Sequence, residues 1–298
     1  MALSVKYDLL NPFHGLLGRI APQWVALRYF KAYHRLMKTR NPRLYHDKVF
    51  WLMVNTPQDR QARLSDKYAV RSYVAERCGE ELLTRLYGVY KSAGEIDFDA
   101  LPNSFVLKTN NGCATNLIVR DKRALDRRKA CRQLDRWLGL HFGELTGERH
   151  YARISPCIIA EELLVQDGDP AKPLIDYKLE CFDGEPAFCG VYSDRQEGTH
   201  HKRYMFYDID WQPMPQVLDV TKKGVDLGAV TPPPPCWEEM KQIARRLSAG
   251  FAYVRVDMYV IDGRPRFGEL SFTPGMDLRY TLAFQQQLGD MIKLPRKI

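Results

Sequence analysis

Two apolar segments near the end of the chain carry four polar residues with the makings of a site. Arg255 and Asp257 lie in the first (251–260), Glu269 and Ser271 in the second (267–272). Read with the period of two of an extended strand, the first puts Phe251, Tyr253, Arg255, Asp257 and Tyr259 on one face. Ala252, Val254, Val256, Met258 and Val260 fall on the other, which reads as a core face. The second segment sets Phe267, Glu269 and Ser271 on one face, with Gly268, Leu270 and Phe272 behind them. Asp262-Gly263 between the two is a hairpin signal. A two-residue turn there would pair Asp257 with Gly268 and send Glu269 to the apolar face, where an unpaired carboxylate is very costly. A three-residue loop, Asp262 to Arg264, sets Asp257 opposite Glu269 and Arg255 opposite Ser271, and this is the register expected. Two carboxylates facing each other at ~4.5–5.5 Å between Cβ atoms repel unless a cation lies between them. Mg²⁺ or Mn²⁺ suits such oxygen ligands, above all when phosphate oxygens complete the shell. An Arg255–Glu269 ion pair on an exposed sheet face accounts for the same residues without any function.

Three further stretches carry weaker signals. Phe105 to Lys108 reads as a strand running into the polar loop 109–116 and out through Leu117-Ile118-Val119. Small residues such as Asn110, Gly112 and Cys113 can turn backbone N–H groups toward phosphate oxygens, with Lys108 supplying charge. No helix follows and G-x-x-x-x-G-K-[ST] is absent, so this is not a P-loop; a plain hairpin is the alternative. Lys67 follows Asp66, a candidate helix N-cap, and taken alone reads as a solvated side chain. The strand Ile158-Ile159-Ala160 ends in Glu161-Glu162-Leu163. It can offer main-chain groups to an adenine edge and a carboxylate to a ribose, or simply leave the core for solvent.

Order and spacing join these elements. Asp66-Lys67-Tyr68-Ala69-Val70-Arg71 is followed by Phe105-Val106-Leu107-Lys108-x-Asn110-x-Gly112 and Ile159-Ala160-Glu161-Glu162. Asp176-Tyr177-Lys178 and Tyr207-Asp208-x-Asp210-Trp211 come next, then Arg255-Val256-Asp257 and Phe267-Gly268-Glu269-Leu270-x-Phe272-Thr273-Pro274-Gly275. From about residue 40 to residue 280 this series closely resembles the TupA-like ATP-grasp proteins, a family associated with bacterial surface polysaccharides such as teichuronopeptide. The resemblance implies an α+β ATP-grasp fold, with two lobes built on antiparallel sheets and nucleotide held between them. It further implies that Lys67 and Lys108 bind phosphate, that Glu161, Glu162 and Leu163 form the adenine and ribose hinge, and that Lys178 lies in the cleft. Asp257 and Glu269 would be the magnesium ligands, and Pro274-Gly275 would turn main-chain groups toward the reacting carboxylate. Ser271 stands where many ATP-grasp enzymes have Asn, as a third metal ligand. Thr109, Asn111, Cys113 and Ala114 occupy the variable positions of a loop that commonly reads K-C-N-H-G-S-G.

The implied activity is ATP-dependent carboxylate–amine ligation through an acyl phosphate, with Lys108 or Lys178 assisting phosphoryl transfer and Arg255 stabilising the oxyanion. The expected partners are ATP, an amine donor and a carboxylate-bearing glycan or glycan precursor. Arg195, His200, His201 and Arg203 in the polar loop 193–204 are candidate acceptor ligands, or else part of an ordinary connector. Two rival readings remain at this level. One is a glycosyltransferase using Asp208-Ile209-Asp210, the other an ATP-binding scaffold without turnover.

The elements that must position these residues follow an α+β pattern with antiparallel pairing, not alternating β–α units. A helix runs from Trp237 with Met240, Ile243, Ala244 and Leu247 on one stripe and stops at Gly250. Asp183-Gly184 marks a second hairpin, and a charged helix spans 121–139. The expected division is a basic helical arm (1–60), a small lobe with the phosphate loop (61–160) and a large lobe with the metal and substrate sites (161–298). With 45% hydrophobic and 27% charged residues, the composition excludes disorder and fibrous repeats. Net charge is +8, but residues 1–45 alone hold eight Lys or Arg against Asp8. A near-neutral body argues against nucleic acid. The arm mixes its charge with Leu9, Phe13, Leu16, Ile20, Trp24, Leu27 and Phe30, as a helix on an anionic membrane surface does. Packing on the body with a wet basic face is the alternative. No apolar run reaches ~18 residues and no signal-peptide pattern opens the chain, so a cytoplasmic protein, peripheral at the inner membrane, is expected. Seven scattered cysteines without a C-x-x-C pair fit neither a zinc ribbon nor a disulfide framework.

Overall fold

Apolar alternation builds the larger of two antiparallel sheets. Its strands are β5 (Asp176–Phe182), β6 (Glu185–Ser193), β7 (Arg203–Asp208), β8 (Tyr253–Ile261) and β9 (Arg264–Ser271), in the order β7-β6-β5-β8-β9. The smaller sheet holds β1 (Leu86–Tyr90), β2 (Phe105–Thr109), β3 (Asn116–Val119) and β4 (Ile158–Glu161), ordered β1-β4-β2-β3. The computed structural model describes residues 3–194, 203–220, 226–274 and 280–295.

Helices cover these sheets. α1 (Leu3–Leu10), α2 (His14–Arg19) and α3 (Ala21–Tyr33) form the N-terminal arm, followed by α4 (Tyr45–Asn55), α5 (Asp59–Ser65) and α6 (Val70–Cys78). The charged stretch of the small lobe becomes α7 (Arg127–Leu138), which starts later than the spacing suggests because Asp126 caps it, accepting from Lys129 N at 2.9 Å. α8 (Phe142–Thr146), α9 (Trp237–Ser248) and α10 (Leu282–Met291) complete the set. The stripe on α9 is buried as its period demands, and it packs with Val254, Val256 and Met258 of β8 in one core. Leu64, Val70, Tyr73 and Val74 of α5 and α6 enter that same core, while Tyr45 and Val49 of α4 join Phe284 and Leu288 of α10 on the other side of the large sheet. Phe105, Leu107, Leu134 and Trp137 anchor the core of the small lobe.

The hairpin β8–β9 corrects one expectation. Its turn has two residues, since Ile261 pairs with Arg264. Asp262 and Gly263 take φ of 51° and 72°, the left-handed values of a type I′ turn. The pairing of Asp257 with Glu269 and of Arg255 with Ser271 still holds, because the register shifts between Asp257 and Met258. Gly268 is the extra residue of that bulge. A Cβ there would lie 2.9 Å from the Asp257 carbonyl oxygen, so the bulge needs glycine. The same shift turns Phe267 into the core beside Leu270 and Phe272, away from the face of Glu269.

The arm packs on the body through one set of side chains and leaves another in solvent. Tyr7, Ala21, Val25 and Tyr29 are buried against the body. Leu9, Phe13, Leu16, Ile20, Leu27 and Phe30 stay exposed on it, with Arg19 and Lys31 also in solvent.

Candidate active site

β5 and β8 pair Lys178 with Asp257 and Glu180 with Arg255, so four charges share one small area of sheet. All four are buried, as is Asp176 two residues before Lys178. Arg255 forks onto Asp257, Nε donating to Oδ1 at 2.6 Å and Nη2 to Oδ2 at 2.7 Å. Lys178 Nζ also donates to Asp257 Oδ2, lies 3.4 Å from Asp176 Oδ1, and rests over the Tyr192 ring at 5.2 Å. Burial alone would raise the Asp257 pKa, but Arg255 and Lys178 outweigh it and hold it at about 2. Asp257 is therefore anionic at neutral pH although only 2% exposed. Glu180 goes the other way. Its burial dominates the pull of Arg255 and raises its pKa to about 7, and Tyr253, itself bonded to Tyr45 at 2.6 Å, donates to it.

Across the hairpin, Glu269 keeps a half-exposed side chain (46%). Its Oε1 accepts from Ser271 Oγ at 3.3 Å and lies 3.6 Å from Arg255 Nη2. The Arg255–Glu269 contact thus exists, but the bidentate partner of Arg255 is Asp257. The donors facing one another here are two carboxylates and the Ser271 hydroxyl, all hard oxygens, and one acid is held in its charged form. This set fits Mg²⁺ or Mn²⁺.

The small lobe carries a parallel cluster. Glu161 at the end of β4 accepts from Arg71 Nη1 at 2.8 Å, from Lys108 Nζ at 2.8 Å and from Thr84 Oγ1 at 3.1 Å. Both Glu161 oxygens are engaged within the protein. Glu162 is exposed, and its N–H donates to Arg85 O at 2.9 Å; Leu163 is half-buried. In the loop after β2, Asn110 receives Cys157 N at 2.7 Å and donates to Ser155 O at 3.1 Å. Asn111 donates to Leu138 O and Leu140 O. These side chains brace the loop, leaving Cys113 exposed and Ala114 at φ 59° at its tip.

Two contacts link the surroundings of the two clusters. Lys67 Nζ donates to Gly112 O, so the lysine after α5 reaches the loop after β2. Asp66 caps the intervening turn, accepting from Tyr68 N at 2.8 Å and Ala69 N at 3.1 Å. Burial pulls the Lys67 ammonium below its usual range, with Glu269 and Cys113 opposing and Lys108 adding to the shift. Lys67 therefore lies within the electrostatic reach of both clusters. Thr273 donates to Glu148, tying the segment after β9 to the small lobe. Burial, and after it Glu148 and Glu269, raise the Tyr151 pKa well above its usual value.

Arg203 is exposed and lies 3.6 Å from Asp194, and Pro274 is half-buried at the end of its described segment. Arg195, His200, His201 and Gly275 lie outside the described residues. Asp208 of the D-x-D sequence accepts from Asp210 N at 3.0 Å and Gln212 N at 2.8 Å, so it caps a tight turn. Arg71, Thr84, Glu148, Tyr151 and Glu180 belong to these clusters without having been singled out by sequence. Glu180 had a usable signal, since a period of two places it beside Asp176 and Lys178. Glu148 and Tyr151 join through a contact between lobes, which no local pattern shows.

Two α+β lobes, each built on an antiparallel sheet, are the ATP-grasp arrangement. The family profile described as TupA-like ATPgrasp matches residues 47–293, and the chain belongs to that family. No curated protein matches it. Among solved structures it is similar to D-alanine–D-alanine ligase from Bacillus anthracis complexed with ATP, at 18% identity and a TM-score of 0.43, covering 77% of this chain and 63% of that one. It is also similar to L-amino acid ligase from Bacillus licheniformis, at 13% identity and a TM-score of 0.48, covering 87% and 56%. The chain thus spans less than two thirds of either.

Proposed function

We propose that the protein is an ATP-dependent carboxylate–amine ligase that joins an amine or amino acid to a uronic acid of a bacterial surface glycan or its precursor. The observation that carries this reading is the register of β8 and β9, which sets an anionic, buried Asp257 opposite Glu269. ATP with Mg²⁺ or Mn²⁺ would supply the phosphoryl group and the metal charge that activates the carboxylate. Asp257, Glu269 and Ser271 would hold the ion. Lys67, Lys108 and Lys178 would take the phosphates, and Glu161, Glu162 and Leu163 would line the nucleoside end. Arg255 would oppose charge on the oxyanion formed when the amine attacks. Arg195, His200, His201, Arg203 and the Pro274-Gly275 turn are proposed to hold the acceptor. Glycan as the substrate class rests on the association of the family with surface polysaccharides.

On this reading the enzyme works in the cytoplasm at the inner face of the membrane, with the arm against anionic lipid. The exposed apolar side chains of α1 to α3 beside Arg19 and Lys31 support that placement. No helix among the described residues is long and apolar enough to cross a membrane. Co-sedimentation with vesicles tests it: binding to anionic but not neutral lipid is expected, and equal absence from both would remove the membrane role.

Incubation with ATP, Mg²⁺, uronic acids and candidate amines tests the chemistry. Phosphate and ADP release that needs both carboxylate and amine is expected. UDP release from a UDP-sugar would establish glycosyl transfer instead, and no turnover with any acceptor would leave a nucleotide-binding scaffold.

A further inference from the structure

α7 carries positive charge that the cleft does not use. At about 100° per residue, Arg128, Lys129, Arg132 and Arg136 fall within one arc of roughly 100° on this helix. Ala130, Leu134 and Trp137 lie on the opposite side and are buried. All four basic side chains of the arc are exposed. The other arginines at this end of the lobe are matched by acids. Arg123 forks onto Asp121, Nε to Oδ1 at 3.0 Å and Nη2 to Oδ2 at 3.1 Å. Arg127 donates from Nη2 to Asp99 Oδ1 at 2.5 Å and lies against the Phe98 ring. Among the described residues, Arg128, Lys129 and Arg132 pair with no acid. Asp135 borders the arc, but its Oδ1 accepts from Ala93 N at 2.9 Å.

Packing sets the direction of the arc. Phe105 and Leu107 of β2 share a core with Leu134 and Trp137 of α7, while Lys108 leaves the other face of β2 and meets Glu161. The arc, opposite the buried side of α7, therefore points away from the cleft. At the C-terminal end of α7 it meets the arm, where Arg136 Nη1 lies 3.5 Å from Asp8 Oδ2. Asn11 donates to Gly139 O at 2.8 Å and accepts from His141 N at 2.9 Å, which fastens the end of α1 to the turn after α7. Tyr7 packs edge-on to Phe142, with ring centroids 5.2 Å apart. Leu9, Phe13 and Leu16, each at least 60% exposed, lie along the chain from that seam.

The apolar neighbours narrow the partner. A soluble polyanion answers the arginines but leaves Leu9, Phe13 and Leu16 in water. A bilayer of anionic phospholipid takes both, its headgroups meeting the basic arc and its acyl boundary the apolar side chains. We propose that the exposed face of α7 is the electrostatic half of a composite membrane-docking surface, binding the headgroups of anionic phospholipid, with the arm as the apolar half. This rests on the membrane placement proposed above and adds an orientation to it. The back of the small lobe lies on the bilayer, and the cleft faces away from it.

The test measures partition of the full chain onto vesicles of phosphatidylglycerol and phosphatidylcholine in equal parts. Arg128→Gln/Arg132→Gln and Arg123→Gln/Arg127→Gln remove the same charge, the first pair from the arc and the second from beside it. The first is expected to weaken binding about 30-fold, at roughly fivefold per charge near the surface, and the second by less than about twofold. In about 1 M salt the difference should vanish, because the Debye length falls to about 3 Å. Thermal midpoints close to that of the wild type check that both variants fold. Phe13→Ser/Leu16→Ser is expected to weaken binding at every salt concentration. A wild type that ignores the vesicles removes placement and inference together. Loss of binding in Phe13→Ser/Leu16→Ser, with the two arginine pairs binding alike, would mean that the arm docks without α7 and would overturn the inference alone. Arc-dependent binding of a soluble polyuronate, without binding to vesicles, would make this face a polyanion site and equally overturn it.

Discussion

Each lobe buries one carboxylate between an arginine and a lysine, and the two clamps differ in what lies across from them. Glu161 is held by Arg71 and Lys108, with Thr84 added, and its cross-strand neighbours are Leu86 and Val106. Asp257 is held by Arg255 and Lys178, and its cross-strand neighbours are Lys178 and the acid Glu269. The first cluster is closed on itself and fixes Lys108 at the base of the loop after β2. The second faces a half-exposed acid whose partners among the described residues are Ser271 Oγ at 3.3 Å and Arg255 Nη2 at 3.6 Å, and the proposed function gives its charge to a cation. The same combination of charges thus gives a brace in one lobe and, on the proposed reading, a ligand pair in the other, according to the neighbour that register supplies.

The comparison is sharpened most by Glu269→Gln. Turnover should fall about 10²–10³-fold, the scale of removing one charge-stabilising group, while the urea midpoint scarcely moves because the side chain is half exposed. Glu161→Gln should reverse that pattern. It leaves Arg71 and Lys108 without their counter-charge, so unfolding in urea should register a loss approaching the ~3–5 kcal/mol of a broken buried pair. Equal stability losses in the two variants would erase the distinction between brace and ligand.

Gly268→Ala comes next. Crowding the Asp257 carbonyl should destabilise by about 1–3 kcal/mol and depress turnover, since the bulge is what keeps Glu269 opposite Asp257. Wild-type stability with normal turnover would mean that the bulge does not set the register.

The most gradual effect separates two acids of the same sheet by pH. Glu180 titrates at 4.5 unfolded and about 7 folded. Between those values the folded protein keeps a proton that the unfolded chain has lost. Its contribution is complete below pH 4.5, declines as pH rises toward 7 and is flat beyond, with a slope of at most ~1.4 kcal/mol per pH unit. Glu180→Gln should remove this slope in urea titrations from pH 4.5 to 8. Asp257 works with the opposite sign, its contribution being lost only as pH falls from 3.8 toward about 2.

Much of this was legible because burial penalises misplaced charge. The cost of sending Glu269 into the core was enough to pair it with Asp257, and the apolar alternation of β8 itself marked the side that packs under α9. The device that produces the pairing was less visible. Gly268 reads as one more small residue on an apolar face, although glycine inside a strand is itself a bulge signal. Arg71 lay inside a quoted motif, yet its partner Glu161 is far along the chain and needed the fold to be seen. The arm was ambiguous for a physical reason, since an all-round mixture of aromatic, aliphatic and basic residues serves packing and exposure at once.

Mn²⁺ paired with a non-hydrolysable ATP analogue probes the central claim directly, through the electron paramagnetic resonance signal of free ion. Wild-type protein should remove Mn²⁺ from solution only when the analogue is present, and Glu269→Gln should leave most of it free while still binding the analogue. Undiminished Mn²⁺ uptake by Glu269→Gln would contradict the account.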